Sequence, residues 1–202
     1  MKKVLFVTDG FVHPPFWGRV ELRSTFAKLD GFEFELIASL EELPNKLGRF
    51  SALVLYFHHK KISTKALVKL DGFVSRGGGI LGIHSATASF KEESHYFEIL
   101  GGRFIGHGPV THFDVKPASD SEIFAGIPAF TIKDELYLHE VQPGIETHFT
   151  VTHDGQEIPA VWTYQYGEGR ICYAVGGHRT ETMKNKNYQK VLQRGLSWVC
   201  GS

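Results

Sequence analysis

Histidines follow several of the apolar segments in this chain, and imidazole is a side chain that exchanges a proton near neutral pH. Five of the eleven histidines come shortly after segments that are typical of β-strands. They are His13, His58, His59, His84 and His178. Ligands of open α/β sheets bind beyond the carboxyl ends of the strands. We therefore expect these histidines to share one pocket at one edge of a sheet, as general acids, general bases or metal ligands.

His84 stands at the centre of Gly82-Ile83-His84-Ser85-Ala86, where an apolar run ends in a turn of small residues. A sharp strand-to-helix turn needs small neighbours because its backbone is cramped, and it exposes the central side chain. Ser85 is one place late for a Gly-x-Ser-x-Gly hydrolase, so we predict a catalytic role for His84 and a substrate-binding role for Ser85. The alternative is a histidine that merely closes the turn through a hydrogen bond to the backbone.

A second polar group lies in Asp134-Glu135-Leu136-Tyr137-Leu138-His139-Glu140, within a strand predicted over residues 131–138. Alternate side chains of a strand share a face, so Glu135, Tyr137 and His139 are expected together, with Asp134, Leu136 and Leu138 toward the core. A carboxylate, a phenol and an imidazole on one face suit acid–base chemistry or the binding of sugar hydroxyls. The alternative is the ordinary solvated face of a half-exposed strand.

Glycines flank two further histidines, His107 in Gly106-His107-Gly108 and His178 in Gly176-Gly177-His178-Arg179. Such flanks let the backbone approach a ligand closely, although they are equally typical of a turn in which the histidine is incidental. Together with His84 and a carboxylate from Asp134-Glu135, these histidines would supply the three or four ligands of a zinc site. No short-spacing metal motif is present, so a divalent metal such as zinc is an alternative and the cofactor is unassigned.

The segments that would position these residues alternate between strands and helices over the first ninety residues. Strands are predicted over residues 2–8, 32–38, 52–57 and 80–83. Helices are predicted over 19–29 and from a cap at Ser63 or Thr64 to Val74. This alternation indicates βαβ units around a parallel sheet. Later segments predict a helix over 95–100, strands over 111–115 and 131–138, a hairpin of 160–166 with 170–175, and a closing helix over 187–199. We expect one domain, residues 1–202, with a mostly parallel central sheet and an antiparallel extension in the second half.

The bulk composition excludes several classes of partner. The 22 basic and 22 acidic residues balance, which gives no support to nucleic-acid binding. The apolar runs are too short to span a bilayer, and the N-terminus lacks a signal-peptide pattern. Two cysteines form no disulfide framework or metal motif, so we expect a cytoplasmic protein. An apolar face in the second half would allow a homodimer.

Several motifs together resemble one known family. They are Gly77-Gly78-Gly79-Ile80-Leu81-Gly82-Ile83-His84-Ser85-Ala86, Gly101-Gly102-Arg103-Phe104, Gly106-His107, Asp134-Glu135-Leu136-Tyr137, Pro159-Ala160-Val161-Trp162, Gly167-Glu168-Gly169-Arg170, Gly177-His178 and Trp198. Their order and spacing resemble the trehalose-utilisation (ThuA-like) family of the class I glutamine amidotransferase-like superfamily. The resemblance implies a flavodoxin-like three-layer sandwich and a small carbohydrate ligand, trehalose-type or an oxidised keto-sugar. The superfamily has a cysteine where this chain has His84, so we expect no glutamine amidotransferase activity.

The resemblance also implies a common pocket for the candidate residues. The expected catalytic residues are His84, His107, Glu135 and His178. The expected substrate-binding residues are Asp9, His13, His58, Ser85, Asp134 and Tyr137. Three functions remain open at this point: a hydrolase or isomerase of a keto-sugar, a non-catalytic sugar-binding or regulatory module, and a metal-dependent hydrolase.

Overall fold

The computed structural model describes residues 1–9, 16–118 and 120–201, so the candidate residue His13 lies outside the described residues. Within them the chain forms eleven strands and five α-helices. The strands are β1 (Lys2–Val7), β2 (Phe32–Ile37), β3 (Ala52–Leu55), β4 (Gly79–Ile83), β5 (Gly102–His107), β6 (Thr111–Pro117), β7 (Phe130–Asp134), β8 (Tyr137–Val141), β9 (Glu146–His153), β10 (Gln156–Tyr166) and β11 (Gly169–Ala174). The helices are α1 (Phe16–Phe26), α2 (Thr64–Ser75), α3 (Ser94–Leu100), α4 (Thr180–Lys184) and α5 (Lys186–Val199).

Nine strands form one sheet in the order β2-β1-β3-β4-β11-β10-β9-β6-β7. The strands from β2 to β11 are parallel to one another, and those from β11 to β7 pair antiparallel. The expected parallel sheet with an antiparallel extension is therefore confirmed. Because β4 lies between β3 and β11, the ends of these three strands meet at one edge of the sheet, and this edge carries His84 and His178.

Side chains of the parallel strands alternate between two apolar layers. Val4 and Phe6 of β1 pack with α1 and α5 on one face, whereas Leu5 and Val7 pack with α2 and α3 on the other. A strand buried on both faces needs apolar residues at every position, and this explains why β1, β3 and β4 are continuous apolar runs in the sequence. Each such fully buried side chain contributes about 1.5–3 kcal/mol relative to an exposed one. The three-layer sandwich is confirmed.

Capping residues fix the first turns of two helices, α2 and α5. The Ser63 hydroxyl accepts a hydrogen bond from the backbone amide of Ala66 (3.2 Å), which fixes the start of α2 at Thr64. The Asn185 side chain does the same for the first turn of α5. Caps of this kind contribute about 1 kcal/mol. The predicted helix over 19–29 instead begins at Phe16 and ends at Phe26.

The predicted single strand over residues 131–138 is wrong. The chain forms β7 up to Asp134 and β8 from Tyr137, and these two strands belong to different sheets. The break arises because the Asp134 carboxylate accepts a hydrogen bond from the next backbone amide, that of Glu135 (2.8 Å), and from amides of the loop after β11. The alternating pattern of apolar residues therefore spans two strands of different sheets.

Two strands have no counterpart among the predicted elements. β9 joins the antiparallel half of the large sheet, and β5 pairs with β8 in a separate two-stranded sheet. The β5–β8 pair places His107 opposite Tyr137, which brings the Gly106-His107-Gly108 motif to the sheet edge. No helix in the described residues is long and apolar enough to cross a membrane.

Candidate active site

His84 is held rigidly at the end of β4. Its backbone adopts a left-handed conformation (φ 44°), which is costly for a residue with a side chain and persists only where the surroundings enforce it. Its carbonyl oxygen accepts hydrogen bonds from the Tyr173 hydroxyl (2.9 Å) and the Thr87 hydroxyl (3.2 Å). Gly177 lies so close that a Cβ atom there would stand 2.5 Å from the Cβ of His84. The site therefore requires glycine at position 177.

The orientation of the His84 ring follows from one hydrogen bond. Its Nδ1 atom lies 2.8 Å from the carbonyl oxygen of Val175, and because a carbonyl can only accept, Nδ1 carries the proton. The other ring nitrogen, Nε2, lies 3.8 Å from Oε2 of Glu135. The His84 side chain is only 1% exposed, whereas that of Glu135 is 13% exposed.

Glu135 is the centre of the site, with imidazoles on both of its oxygens. Oε2 lies 3.8 Å from His84 Nε2 and 3.4 Å from His178 Nδ1. Oε1 lies 3.9 Å from His107 Nδ1. The Glu135 side chain is 13% exposed, that of His178 19% and that of His107 43%. Exposure thus increases from the buried His84 outward to His107.

Asp134 joins the two loops that carry this cluster. Its Oδ1 atom accepts hydrogen bonds from the amides of Glu135 (2.8 Å) and His178 (2.9 Å), and Oδ2 from those of Gly177 (3.0 Å) and Arg179 (3.4 Å). The residue has no exposed surface. The prediction of Asp134 as a substrate-binding residue is therefore wrong: both of its oxygens are occupied by backbone amides, and it positions Glu135 and His178 instead.

Two neighbouring side chains are kept uncharged by burial. The Tyr137 ring packs 3.9 Å from that of His84, and burial, followed by the charges of Glu135 and Asp134, raises the pKa of its hydroxyl far above the usual range. Burial, followed by the proximity of His84, lowers the pKa of His139 to about 3. Tyr137 is thus a neutral wall of the site, and it forms no part of an exposed polar strand face.

Two of the remaining substrate-binding candidates, Asp9 and His58, lie beside His59. Ser85 is as buried as its neighbour His84, and its contact with substrate stays a prediction. Asp9 is exposed and its carboxylate faces His59 (3.6 Å). His58 is exposed and, with His59, lines a separate cavity of about 300 Å³ that also includes Lys60. The expectation of one pocket for all five strand-end histidines is therefore wrong for His58 and His59.

Hydrogen bonds behind the site involve residues that the sequence did not single out. The His139 Nε2 atom lies 3.0 Å from the Thr87 hydroxyl oxygen, which in turn lies 3.0 Å from the hydroxyl oxygen of Tyr173. The Tyr56 hydroxyl donates to the carbonyl of Gly177 (2.5 Å). The position of Tyr56, directly after the apolar run of β3, was the one signal in the sequence for this hydrogen bond, since a buried hydroxyl requires a partner.

The arrangement can move protons or hold a cation. One donor atom each from His84, Glu135 and His178 lie within 4.8 Å of one another. Two imidazoles and a carboxylate are a donor set that binds zinc in proteins. His107 stands on the other carboxylate oxygen, where it is open to solvent and suited to proton exchange.

Comparisons with known proteins identify the family. The structure is similar to a ThuA-like protein from Parabacteroides merdae ATCC 43184, with a TM-score of 0.84 and 17% identity over 98% of this chain and 90% of that chain. It is also similar to a ThuA-like protein from Bacteroides uniformis ATCC 8492, with a TM-score of 0.82 and 17% identity over 98% of this chain and 91% of that chain. A third similar structure is that of a cytoplasmic protein from Salmonella typhimurium LT2, with a TM-score of 0.76 and 12% identity over 98% of this chain and 99% of that chain. No curated protein matches the sequence. The family model for trehalose utilisation, ThuA, matches residues 3–199, and the chain therefore belongs to the ThuA family, which indicates a carbohydrate-related role.

Proposed function

We propose that this protein is an enzyme that transfers protons to and from a small sugar, trehalose-type or a keto-sugar, at the cluster around Glu135. The observation that carries the proposal is the placement of one carboxylate within 3.4–3.9 Å of nitrogens from three histidines. Such a group of titratable side chains at a sheet edge is a site suited to acid–base catalysis. The family supports the sugar as substrate, since its description is trehalose utilisation.

His107 is the group that exchanges a proton with the sugar. Its Nδ1 atom lies 2.8 Å from the carbonyl oxygen of Gly108, so Nδ1 carries a proton and Nε2 is the nitrogen that accepts one. Protonation of Nε2 makes an imidazolium ion, and the Glu135 carboxylate 3.9 Å away stabilises that charge. His107 is the most exposed member of the cluster, which lets a soluble substrate reach it.

A keto-sugar offers this pair two reactions. A carbon-bound hydrogen next to a carbonyl is acidic, and its removal by a base gives an enediolate, which leads to isomerisation. In hydrolysis, the imidazolium protonates the leaving glycosidic oxygen while a water molecule adds to the anomeric carbon and gives up a proton, so that the glycosidic bond is replaced by two hydroxyl groups. Isomerase and hydrolase activities are therefore the two forms of the proposal.

Turnover of a panel of keto-disaccharides in deuterium oxide, followed by NMR, tests the proposal. The wild-type protein is expected to form product and to incorporate deuterium next to the carbonyl if it isomerises. Replacing His107 with glutamine is expected to lower kcat/KM about 10²–10⁴-fold, the usual contribution of acid–base catalysis. The matched control replaces His153 with glutamine, because His153 is a half-exposed histidine of β9 beside Asp154. This control substitution should change kcat/KM less than twofold.

Two outcomes would contradict the proposal. Equal turnover by the His107 and His153 variants would exclude His107 as the proton-exchanging group. Binding of a sugar by calorimetry without product or deuterium incorporation would instead identify a non-catalytic sugar-binding module.

We propose the cytoplasm as the location of the protein. Both cysteines, Cys172 and Cys200, are free and buried, which suits a reducing compartment. The structurally similar Salmonella protein is described as cytoplasmic. Fractionation of cells that produce the protein tests this, and recovery outside the cytoplasmic fraction would contradict it.

A further inference from the structure

We propose that His84, Glu135 and His178 form a binding site for one divalent transition-metal ion, with zinc as the preferred ion. The site goes beyond the proposed function, because binding of the ion requires no sugar chemistry. It uses the Oε2 side of the Glu135 carboxylate, whereas the proposed proton exchange at His107 takes place on the Oε1 side.

The spacing of the donor atoms suits such an ion. With metal–ligand bonds of about 2.0–2.1 Å, neighbouring donors of a tetrahedral zinc site lie about 3.3 Å apart. The His178 Nδ1 to Glu135 Oε2 distance is 3.4 Å, and the His84 Nε2 to Oε2 distance is 3.8 Å. The first pair already has the required separation, and the second needs a shift of about half an ångström, which small side-chain rotations supply.

The groups around the donors are those that support metal ligands. A ligating histidine usually donates its second ring N–H to a carbonyl or carboxylate, which orients the ring and fixes its tautomer. His84 has this arrangement, since Nδ1 donates to the Val175 carbonyl at 2.8 Å and Nε2 is the proposed ligand atom. Asp134 fixes the backbone of both other ligands through their amides. The positions of all three donors are thus set by the fold.

Strain at His84 supports a function for its position. The left-handed backbone costs free energy at a non-glycine residue, and at His84 it directs a buried imidazole toward a carboxylate. Two histidines and one glutamate supply three ligands, which leaves a fourth position for water or a substrate oxygen. The partly exposed edges of His178 and Glu135 give that position access to solvent.

Zinc binding to the full chain tests the site. Chelator-treated protein is titrated with zinc chloride by calorimetry, and its metal content is measured after gel filtration. We expect one tight site per chain, and at least a 100-fold weaker affinity in Glu135→Gln and in His178→Gln, since loss of a ligand exceeds the 10–100-fold effect of losing a supporting residue. Circular dichroism and thermal melting show whether each variant is folded.

Two control variants separate this site from other histidines. His95 contacts Asp71 and Glu98 on the surface and could bind zinc adventitiously, so His95→Gln should leave the tight site unchanged. His107→Gln should also retain it, because His107 lies on the other carboxylate oxygen. Cobalt(II) substitution gives a second readout: its paramagnetic shifts should reach the ring protons of His84 and His178, and not those of His95.

The results that would overturn the metal site are distinct from those that would refute the proposed function. Absence of a stoichiometric site, or a site that persists within threefold in both Glu135→Gln and His178→Gln, would overturn it. Zinc binding without turnover of any sugar would refute the proposed function alone. Sugar turnover by a protein that binds no zinc would refute the metal site alone.

Discussion

Replacing Asp134 with asparagine should destabilise the protein by about 3 kcal/mol. An asparagine can keep its oxygen toward the amides of Glu135 and His178, but its NH2 group then faces the amides of Gly177 and Arg179, which donate at 3.0 and 3.4 Å in the wild type. A hydrogen bond to a charged group contributes about 1.5–3 kcal/mol, and an unsatisfied buried donor costs about 1–3 kcal/mol. The hydrogen bond from Arg179, at 3.4 Å, is weaker than the one from Gly177. The lost hydrogen bonds and the cost of the unsatisfied donors therefore add to about 3 kcal/mol.

Urea unfolding followed by fluorescence measures this loss of free energy. Asp114→Asn is the matched control, because Asp114 is exposed on β6 and accepts one hydrogen bond from Thr131. Exposed substitutions of this kind usually change stability by less than about 0.5 kcal/mol. A loss below about 1 kcal/mol in Asp134→Asn would refute the idea that its carboxylate holds the two loops together. A full loss without any effect on zinc binding or turnover would show that the clamp stabilises the fold without positioning the site.

The remaining predictions concern close packing, acid stability and thiol reactivity. Gly177→Ala should abolish turnover and zinc binding, because the added Cβ atom would stand 2.5 Å from the Cβ atom of His84. Gly48→Ala is the control and should leave turnover and zinc binding intact, because no atom lies within 4 Å of the added Cβ atom. Equal behaviour of the two variants would contradict the packing argument. Burial lowers the pKa of His139 in the folded protein to about 3. Between about pH 6.5 and pH 3, the His139 imidazole is therefore protonated in the unfolded chain and neutral in the folded protein. The free energy of unfolding should therefore fall as the pH is lowered through this window, by up to about 1.4 kcal/mol per pH unit, and urea titrations should show a smaller slope in His139→Gln; an unchanged slope would exclude this residue as a cause. Burial raises the pKa of the Cys172 thiol to about 12, so a thiol reagent at pH 8 should modify it only after unfolding, and rapid modification of the folded protein would contradict its burial.

Much of the fold could be predicted because its signals are local. Apolar runs such as that of β3 indicate strands buried on both faces, and a capping residue such as Ser63 marks where a helix begins. The turn of small residues around His84 likewise identified a constrained position at a strand end. These features depend on neighbours a few residues away, and the structure has them at the expected places.

Part of the candidate site could not be predicted, because it depends on contacts between distant segments. The alternation in residues 131–138 is that of one strand, and only the hydrogen bonds of Asp134 to residues 177–179 explain why the strand ends there. For the same reason Asp134 had the signature of a substrate-binding residue, although it is a buried acceptor of backbone amides. Likewise, the pairing of β5 with β8 brings His107 to Glu135, and nothing in either segment specifies that partner.

The sequence by itself determined the order of strands and helices in the first half of the chain, because the period of its apolar residues is local. It also determined the kind of chemistry available, through the identities of His84, His107, Glu135 and His178. Only the tertiary structure decided which side chains meet: it placed the three histidines around the Glu135 carboxylate, and it placed His58 and His59 at a separate cavity. The physical reason is that a strand end fixes the edge of the sheet at which a side chain emerges, whereas its neighbours there depend on loop conformation. In this protein the Asp134 carboxylate and the close approach of Gly177 to His84 set that conformation.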